Sequence, residues 1–185
     1  YALAVNQFNL LDSHDVARLH NNEAIDFHAY EIAVMIMYLL PGAPNVYYGD
    51  EVGLSGHSET VEGCRYPMEW QENKWDQRYV HLYKTLNHLK LNNPVLHDGG
   101  LKFLYDQGYI TSMARFTDDE VILMIGSMED ETKDLVLDLG LLGIDDTWQC
   151  TELLGKDFVD EAAPRFHEDG YHMTMASQRG YVLRF

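Results

Sequence analysis

The segment over residues 27–40 is apolar on nearly every face of a helix, and it constrains the fold more than any other feature of the chain. A helix of this kind needs cover from several sides. Asp26 can cap its start, and Pro41-Gly42 ends it. Short strands are predicted before it over residues 5–11 and after it over residues 45–48. A strand, a helix and a strand in so few residues predict a βαβ unit with parallel strands.

Polar residues follow the first predicted strand directly. Ser13, His14 and Asp15 come at the end of its apolar run, and Arg18 lies shortly after them. In folds that alternate strands and helices, polar side chains at strand ends project into an active site. The spacing therefore predicts a site formed by His14 and Asp15. From spacing alone a second interpretation has equal weight, in which Asp15 caps the turn after the strand.

A long loop and a second helix are predicted next. Residues 49–74 show little apolar periodicity, and loops of this length in compact domains are usually functional or disordered. The second helix is expected over residues 76–91, and Asn92-Asn93-Pro94 ends it. Its apolar stripe at helical spacing consists of Tyr79, Leu82, Tyr83, Leu86 and Leu89.

From about residue 98 the pattern changes to short apolar runs between turn signals such as Asp106-Gln107-Gly108 and Asp169-Gly170. Several short strands at this spacing are typical of an antiparallel β-sandwich. The predicted strands cover residues 101–105, 109–116, 121–127, 135–139, 148–153, 171–175 and 181–185.

The composition restricts the partners and the chemistry. A formal net charge of -17 argues against nucleic acid and anionic membranes, since both select basic surfaces, and it fits a neutral or cationic ligand such as a sugar. No apolar run approaches the roughly 18 residues of a membrane span. Cys64 and Cys150 form neither a disulfide framework nor a metal motif, which favours the cytoplasm. The nine histidines show no zinc spacing, so no metal site is expected.

Three motifs occur in order within the first part of the chain. They are Leu10-Leu11-Asp12-Ser13-His14-Asp15-Val16-Ala17-Arg18, Gly42-Ala43-Pro44-Asn45-Val46-Tyr47-Tyr48-Gly49-Asp50-Glu51-Val52-Gly53 and Cys64-Arg65-Tyr66-Pro67-Met68-Glu69-Trp70. Together they resemble the α-amylase superfamily, glycoside hydrolase family 13, in its neopullulanase, cyclomaltodextrinase and maltogenic amylase branch. The resemblance implies the C-terminal part of such an enzyme. Residues 1–97 would form the last quarter of a (β/α)8 barrel, with two parallel strands and two helices, and residues 98–185 an antiparallel β-sandwich domain.

The resemblance also implies an activity and the residues that carry it. The longer enzyme would be a retaining α-glucan hydrolase that cleaves cyclodextrins, pullulan or maltooligosaccharides. Asp15 would be the carboxylate that stabilises the transition state, and His14 would bind the substrate. The nucleophile and the general acid/base of such enzymes sit on earlier strands, and none of residues 1–8 is acidic. The chain alone is therefore expected to be inactive.

Structural roles are expected for several residues near the site. Arg18 is predicted to hold its loop by a salt bridge, and Asp50 and Glu51 to hold the loop after the second strand. The resemblance makes Arg65 a candidate substrate-binding residue, and Trp70 can stack on a sugar ring. Packing of the loop is the alternative role for both. The third motif departs from the branch pattern, because Tyr66 replaces an Arg and Glu62-Gly63 replaces Asp-Pro, so it leaves the substrate preference open.

Two other functions compete with hydrolysis. One is transglycosylation by an enzyme of the same superfamily. The other is a non-catalytic carbohydrate-binding or interaction module built on the β domain, where an aromatic platform would compete with ordinary core packing. The candidate aromatics are Tyr105, Tyr109, Trp148 and Tyr171. The expected partners are an α-glucan oligosaccharide and either a second copy of the chain or the remaining barrel portion. No cofactor is expected, and family members that bind calcium do so outside this segment.

Overall fold

The computed structural model describes residues 4–56, 59, 63–154 and 165–185. The chain divides into two compact units, Tyr1–Asn92 and Asn93–Phe185. The first unit contains two long helices and a pair of very short strands, whereas the second is built mainly from antiparallel strands. The domain boundary expected between residues 97 and 98 stays a prediction.

Two helices form the core of the first unit, and both were predicted from the apolar pattern. Helix α1 covers Phe27–Leu39 and helix α2 covers Gln77–Asn92, and the two pack against each other. The side chain of Asp26 caps α1 by accepting a hydrogen bond from the Ala29 N–H at 2.8 Å. Between the helices, the Tyr30 and Tyr83 hydroxyls share a buried hydrogen bond of 2.7 Å. The hydroxyl groups of these two buried tyrosines therefore have a hydrogen-bond partner.

The strands of the first unit are shorter than expected, and one of them is displaced. Strand β1 covers Phe8–Asn9 and pairs in parallel with β2, which covers Ala43–Pro44. The prediction of a strand over residues 45–48 is wrong, because these residues already belong to the following loop. The cause lies at Gly42, where a φ of +105° turns the chain so that pairing begins at Ala43. The parallel arrangement of the two strands is confirmed.

The second unit contains a short helix and two antiparallel sheets. Helix α3 covers Val95–Asp98. The strands are β3 (Gly100–Gln107), β4 (Ile110–Phe116), β5 (Val121–Ser127), β6 (Lys133–Leu137), β7 (Thr151–Leu154), β8 (Arg165–His167), β9 (Gly170–Met175) and β10 (Arg179–Arg184). One sheet has the order β3-β4-β5-β10-β7 and the other β6-β9-β8. The antiparallel sheets expected for this half are confirmed, and β8 was not predicted.

One hydrophobic core of the second unit contains side chains from both sheets. The smaller sheet contributes alternate residues, such as Leu135 and Leu137, because successive side chains of a strand point to opposite faces. The larger sheet contributes Leu123 and Leu183, among others. Arg115 is fully buried beside this core, and its guanidinium donates to the carbonyls of residues 96, 99 and 100. Carbonyls of α3, of the residue after it and of the start of β3 thereby satisfy this buried cation.

Candidate active site

Asp15 lies in the loop that follows β1, and its carboxylate is open to solvent. Its side chain is 69% exposed, and it contacts two cationic or potentially cationic groups. His14 Nε2 lies 3.2 Å from Asp15 Oδ2, and Arg65 Nη2 lies 3.2 Å from Asp15 Oδ1. The structure therefore brings together the three residues that the sequence analysis named for catalysis and substrate binding.

Asp15 is exposed and Asp12 is buried, and the two residues make different contacts with the local backbone. The Asp15 N–H donates to Ser13 Oγ at 3.3 Å, in the manner of a turn closed by a serine hydroxyl. Asp12 is buried, and its Oδ2 accepts a hydrogen bond from the Leu19 N–H at 2.9 Å. One carboxylate of the segment therefore holds the loop, while the other is left accessible to a ligand.

Arg18 is a fully buried cation beneath this loop. Its Nη1 lies 2.5 Å from Asp50 Oδ1, in an ion pair whose side chains are 0% and 5% exposed. Its Nη2 donates to the Tyr48 carbonyl at 2.7 Å. The guanidinium also lies 4.5 Å from the centroid of the Tyr47 ring, within the range of a cation–π contact. Arg18 thus connects the loop that carries Asp15 with the loop after β2.

Asp50 shares its buried position with Asp12 as well as with Arg18. Burial and the hydrogen-bonded Asp12 together raise the pKa of the Asp50 carboxyl to about 8, although Arg18 opposes both effects. Two buried carboxyl groups facing one guanidinium hold one excess negative charge unless one of them is protonated. The cluster therefore favours a proton on Asp50 near neutral pH.

Glu51 is engaged with its own loop. Its Oε2 accepts a hydrogen bond from the Gly49 N–H at 2.7 Å. Gly49 and Gly53 both have positive φ, at +91° and +74°, so this loop turns sharply on either side of Asp50 and Glu51. In this arrangement the carboxylates of Asp50 and Glu51 serve contacts within the protein, and the roles expected for them stay predictions.

Cys64 joins the two loops that carry Asp15 and Arg65. Its thiol donates to the Val16 carbonyl at 2.6 Å, and its own carbonyl accepts from the Tyr47 hydroxyl at 3.1 Å. The Tyr48 hydroxyl donates to the Tyr66 carbonyl at 2.7 Å. Sequence reasoning did not find these roles of Cys64, Tyr47 and Tyr48. Their adjacency within the motifs was the only signal, and it did not reveal which backbone groups they contact.

Trp70 points into solvent. Its side chain is 79% exposed, so packing within the described part of the chain does not account for it. The neighbouring Glu69 is held firmly, because its carboxylate accepts from Lys74 Nζ at 3.0 Å and its carbonyl accepts from the Trp75 indole at 2.7 Å. Glu62, one of the two departures from the branch pattern before Cys64, lies outside the described residues.

The four aromatics considered for a sugar platform in the β domain have different environments. Tyr171 is buried in the core of the second unit, and Tyr105 and Trp148 pack against that core. Tyr109 is 74% exposed. A platform built from all four rings is therefore not present.

In the part of the chain that the structure describes, no group of three His, Cys, Asp or Glu side chains could hold a metal ion. Nor does any helix among those residues combine the length and the apolar character needed to cross a membrane. The two cysteines, Cys64 and Cys150, are free thiols.

The chain is similar to known proteins in sequence and in structure. A cyclomaltodextrinase of Bacillus sp is 39% identical over 120 residues, which are 64% of this chain and 21% of the relative. The intracellular maltogenic amylase of Bacillus subtilis strain 168 is 34% identical over 119 residues, which are 63% of the chain and 20% of the relative. The native debranching enzyme of Nostoc punctiforme superimposes with a TM-score of 0.81 at 28% identity, over 96% of this chain and 35% of that one.

The chain therefore resembles the α-amylase superfamily in sequence and in structure. Its relatives are named cyclomaltodextrinase, maltogenic amylase and neopullulanase, so the branch predicted from the three motifs is confirmed. No family model matches the chain. It spans about a fifth of the length of these curated α-amylase-superfamily relatives. The activity of the whole protein is therefore a matter for proposal.

Proposed function

We propose that this chain is the C-terminal segment of a longer retaining α-glucan hydrolase and that it supplies Asp15 and His14 to the active site. The observation that carries the proposal is the exposed Asp15 carboxylate, held between His14 and Arg65 in the loop after β1. The similarity to a cyclomaltodextrinase and a maltogenic amylase supports an α-glucan as the substrate. Residues 1–97 would complete the barrel of that enzyme, and residues 98–185 would form its C-terminal domain.

The chemistry follows from the charge of Asp15. A carboxylate accepts hydrogen bonds from the sugar hydroxyls next to the reacting carbon, and such charge-assisted bonds are about twice as strong as neutral ones. They strengthen as the ring distorts toward the oxocarbenium-like transition state. Asp15 stabilises that state and forms no covalent bond. His14 donates to a hydroxyl in the same subsite, and Arg65 binds substrate while balancing the charge of Asp15.

Residues outside this chain would carry out the covalent steps of glycoside hydrolysis. Retention needs a nucleophile and a general acid/base about 5 Å apart, and the superfamily carries both on strands that precede the Ser13-His14-Asp15 segment. The chain alone is therefore expected to give no turnover. A cytoplasmic location is also proposed, because one relative is named an intracellular maltogenic amylase and both cysteines are free.

Replacement of Asp15 in the longer enzyme tests the proposal. The Asp15→Asn substitution keeps the shape of the side chain and removes its charge, so kcat/KM on a maltooligosaccharide is expected to fall by about 10²- to 10³-fold, as for loss of a group that stabilises a transition state. The fall should appear in kcat rather than in KM, because the contact strengthens only in the transition state.

A matched control is the Asp146→Asn substitution, which neutralises an exposed carboxylate of the second unit. It is expected to leave kcat/KM within about twofold of the unaltered enzyme, since single substitutions of exposed residues usually have small effects. Equal activity of the Asp15→Asn and Asp146→Asn enzymes would refute the assignment of Asp15.

A further inference from the structure

Two adjacent phenols hold the backbone on either side of Arg65. The Tyr47 hydroxyl donates to the Cys64 carbonyl at 3.1 Å, and the Tyr48 hydroxyl donates to the Tyr66 carbonyl at 2.7 Å. Arg65 lies between the two carbonyls and reaches Asp15 Oδ1 at 3.2 Å. We propose that Tyr47 and Tyr48 are positioning residues that set Arg65 against Asp15. This inference rests on the proposed role of Asp15.

The two phenols can act as a firm support because their rings are themselves fixed. The centroids of the Tyr47 and Tyr48 rings lie 4.8 Å apart at an interplanar angle of 67°, in an edge-to-face arrangement. The Arg18 guanidinium lies 4.5 Å from the first centroid and 5.2 Å from the second. Since Arg18 is buried and paired with Asp50, the rings rest on a cation that has little freedom to move.

Arg65 needs such support because its own contact is exposed. Its side chain and that of Asp15 are 57% and 69% exposed. An exposed pair of this kind gains little on its own, since water screens the charges and a long side chain loses rotamer freedom. Fixing the backbone at Cys64 and Tyr66 places the guanidinium near Asp15 before the pair forms, so less freedom is lost on contact.

A further hydrogen bond joins the segment that carries Asp15 to the segment that carries Arg65. The Cys64 thiol donates to the Val16 carbonyl at 2.6 Å, directly after Asp15 in the chain. The segment of Asp15 and the segment of Arg65 are therefore joined by one hydrogen bond and supported by two more from the phenols. With Arg65 on Oδ1, the orientation of the Asp15 carboxylate is set before a sugar arrives.

The experiment compares phenylalanine substitutions in the longer enzyme with and without Arg65. Tyr47→Phe and Tyr48→Phe each remove one hydroxyl and keep the ring. Each is expected to lower kcat/KM by about 2- to 10-fold, the range for loss of one hydrogen bond. Arg65→Ala should lower kcat/KM at least as far as the double phenylalanine enzyme. In the Arg65→Ala background, the two phenylalanines should have no further effect, because their action passes through Arg65.

Tyr38→Phe is the matched control. It removes a phenol that donates to Asn87 Oδ1 at 2.7 Å, in a contact between α1 and α2. It is expected to leave kcat/KM within about twofold of the unaltered enzyme. The proposal is overturned if Tyr38→Phe lowers kcat/KM as much as Tyr47→Phe, or if the phenylalanine effects multiply fully with that of Arg65→Ala.

A second measurement on the 185-residue chain is independent of activity. The ¹⁵N–¹H signal of the Arg65 side chain, assigned through Arg65→Lys, should shift in the Tyr47→Phe/Tyr48→Phe chain and stay in place in the Tyr38→Phe chain. An unchanged Arg65 signal in the double variant would overturn the positioning role even if Asp15 is essential. If the Asp15→Asn enzyme keeps full activity instead, the proposed function is wrong. The Arg65 signal would still test whether the two phenols position Arg65.

Discussion

At the residue scale, the buried cluster of Arg18, Asp12 and Asp50 is unusual because its charges do not balance. Asp12 Oδ1 is buried without a hydrogen-bond partner while both carboxyls are ionised, and a proton on Asp50 allows the two carboxyls to share a hydrogen bond. Leaving one such charge uncompensated in a protein interior is costly. Because burial and Asp12 together raise the pKa of Asp50 to about 8, Asp50 holds a proton near neutral pH, and this proton removes the excess charge.

The cluster makes the stability of the chain depend on pH. The pKa of Asp50 rises from 3.8 in the unfolded chain to about 8 in the folded chain, so the folded state binds more protons between these values. The stabilisation is complete below about pH 4 and is lost as the pH rises through about 8. The contribution of Asp50 to the free energy of unfolding should therefore fall by a few kcal/mol, as an order of magnitude, across this window.

Urea unfolding of the chain, in steps of about one pH unit between about pH 5 and 9, measures this change in the free energy of unfolding. The Asp50→Asn variant is unfolded in the same way for comparison. The variant cannot titrate at this position, so its stability should fall less steeply with pH than that of the unaltered chain. Asp138→Asn, at an exposed position, is the control and should keep the original slope. Parallel pH profiles for the unaltered and Asp50→Asn chains would contradict the shared proton.

At the element scale, the contact between β1 and β2 depends on one glycine. A Cβ placed on Gly42 would lie 2.5 Å from the Gln7 carbonyl oxygen, and the φ of +105° at this position already disfavours other residues. The same carbonyl accepts a hydrogen bond from the Ala43 N–H at 2.9 Å, next to the first paired residues of the two strands. The end of α1, the turn and the start of the parallel pair are thus coupled at Gly42.

Gly42→Ala is expected to push the Gln7 carbonyl away and to speed hydrogen exchange of the Ala43 amide by about 5- to 150-fold, since strain of this type costs about 1–3 kcal/mol. Gly143→Ala is the control: its φ is +78°, but a Cβ there meets nothing within 4 Å. This variant places an alanine at a positive φ but causes no steric clash. The hydrogen-exchange rate of the Ala43 amide should therefore stay unchanged. Equal protection of that amide in all three chains would show that the close approach does not matter.

At the scale of the whole molecule, the first unit leaves apolar side chains uncovered beside a sheet of only two strands. Phe8 of β1 is 74% exposed and Leu10, directly after β1, is 51% exposed, where the proposed barrel would enclose the strand. Open strand edges and exposed apolar groups promote association. The 185-residue chain is therefore expected to associate with itself when the remaining barrel portion is not supplied.

Light scattering on a size-exclusion column should then give a mass above 21.3 kDa that increases with concentration. Phe8→Ser with Leu10→Ser should reduce this association, because both changes lower the apolar area at β1. Leu141→Ser, which replaces a residue that is 62% exposed in the second unit, is the control and should not reduce it. A monomer at high concentration in the unaltered chain would refute the expectation.

Sequence reasoning succeeded where burial leaves a periodic signal. Strand β5, which is buried over its whole length, and helix α1, most of whose second half is buried, were predicted close to their observed bounds. Strand β2 was misplaced because the turn at Gly42, which is a tertiary contact with Gln7, decides where pairing begins. Strand β8 was missed because its three residues are all exposed and show no alternation. The partners of Tyr47 and Tyr48 are backbone carbonyls, which no side-chain pattern can reveal.

Cys64 gives the site a chemical reporter of its own. Its sulfur is fully buried and bonded to the Val16 carbonyl, so it meets a thiol reagent only when the two loops under Asp15 separate. The other thiol reacts slowly for a different reason, because burial raises the pKa of Cys150 to about 11 and keeps it protonated. The alkylation rate of Cys64 therefore reports how often the two loops separate. A ligand that spans Asp15 and Arg65 would lower this alkylation rate.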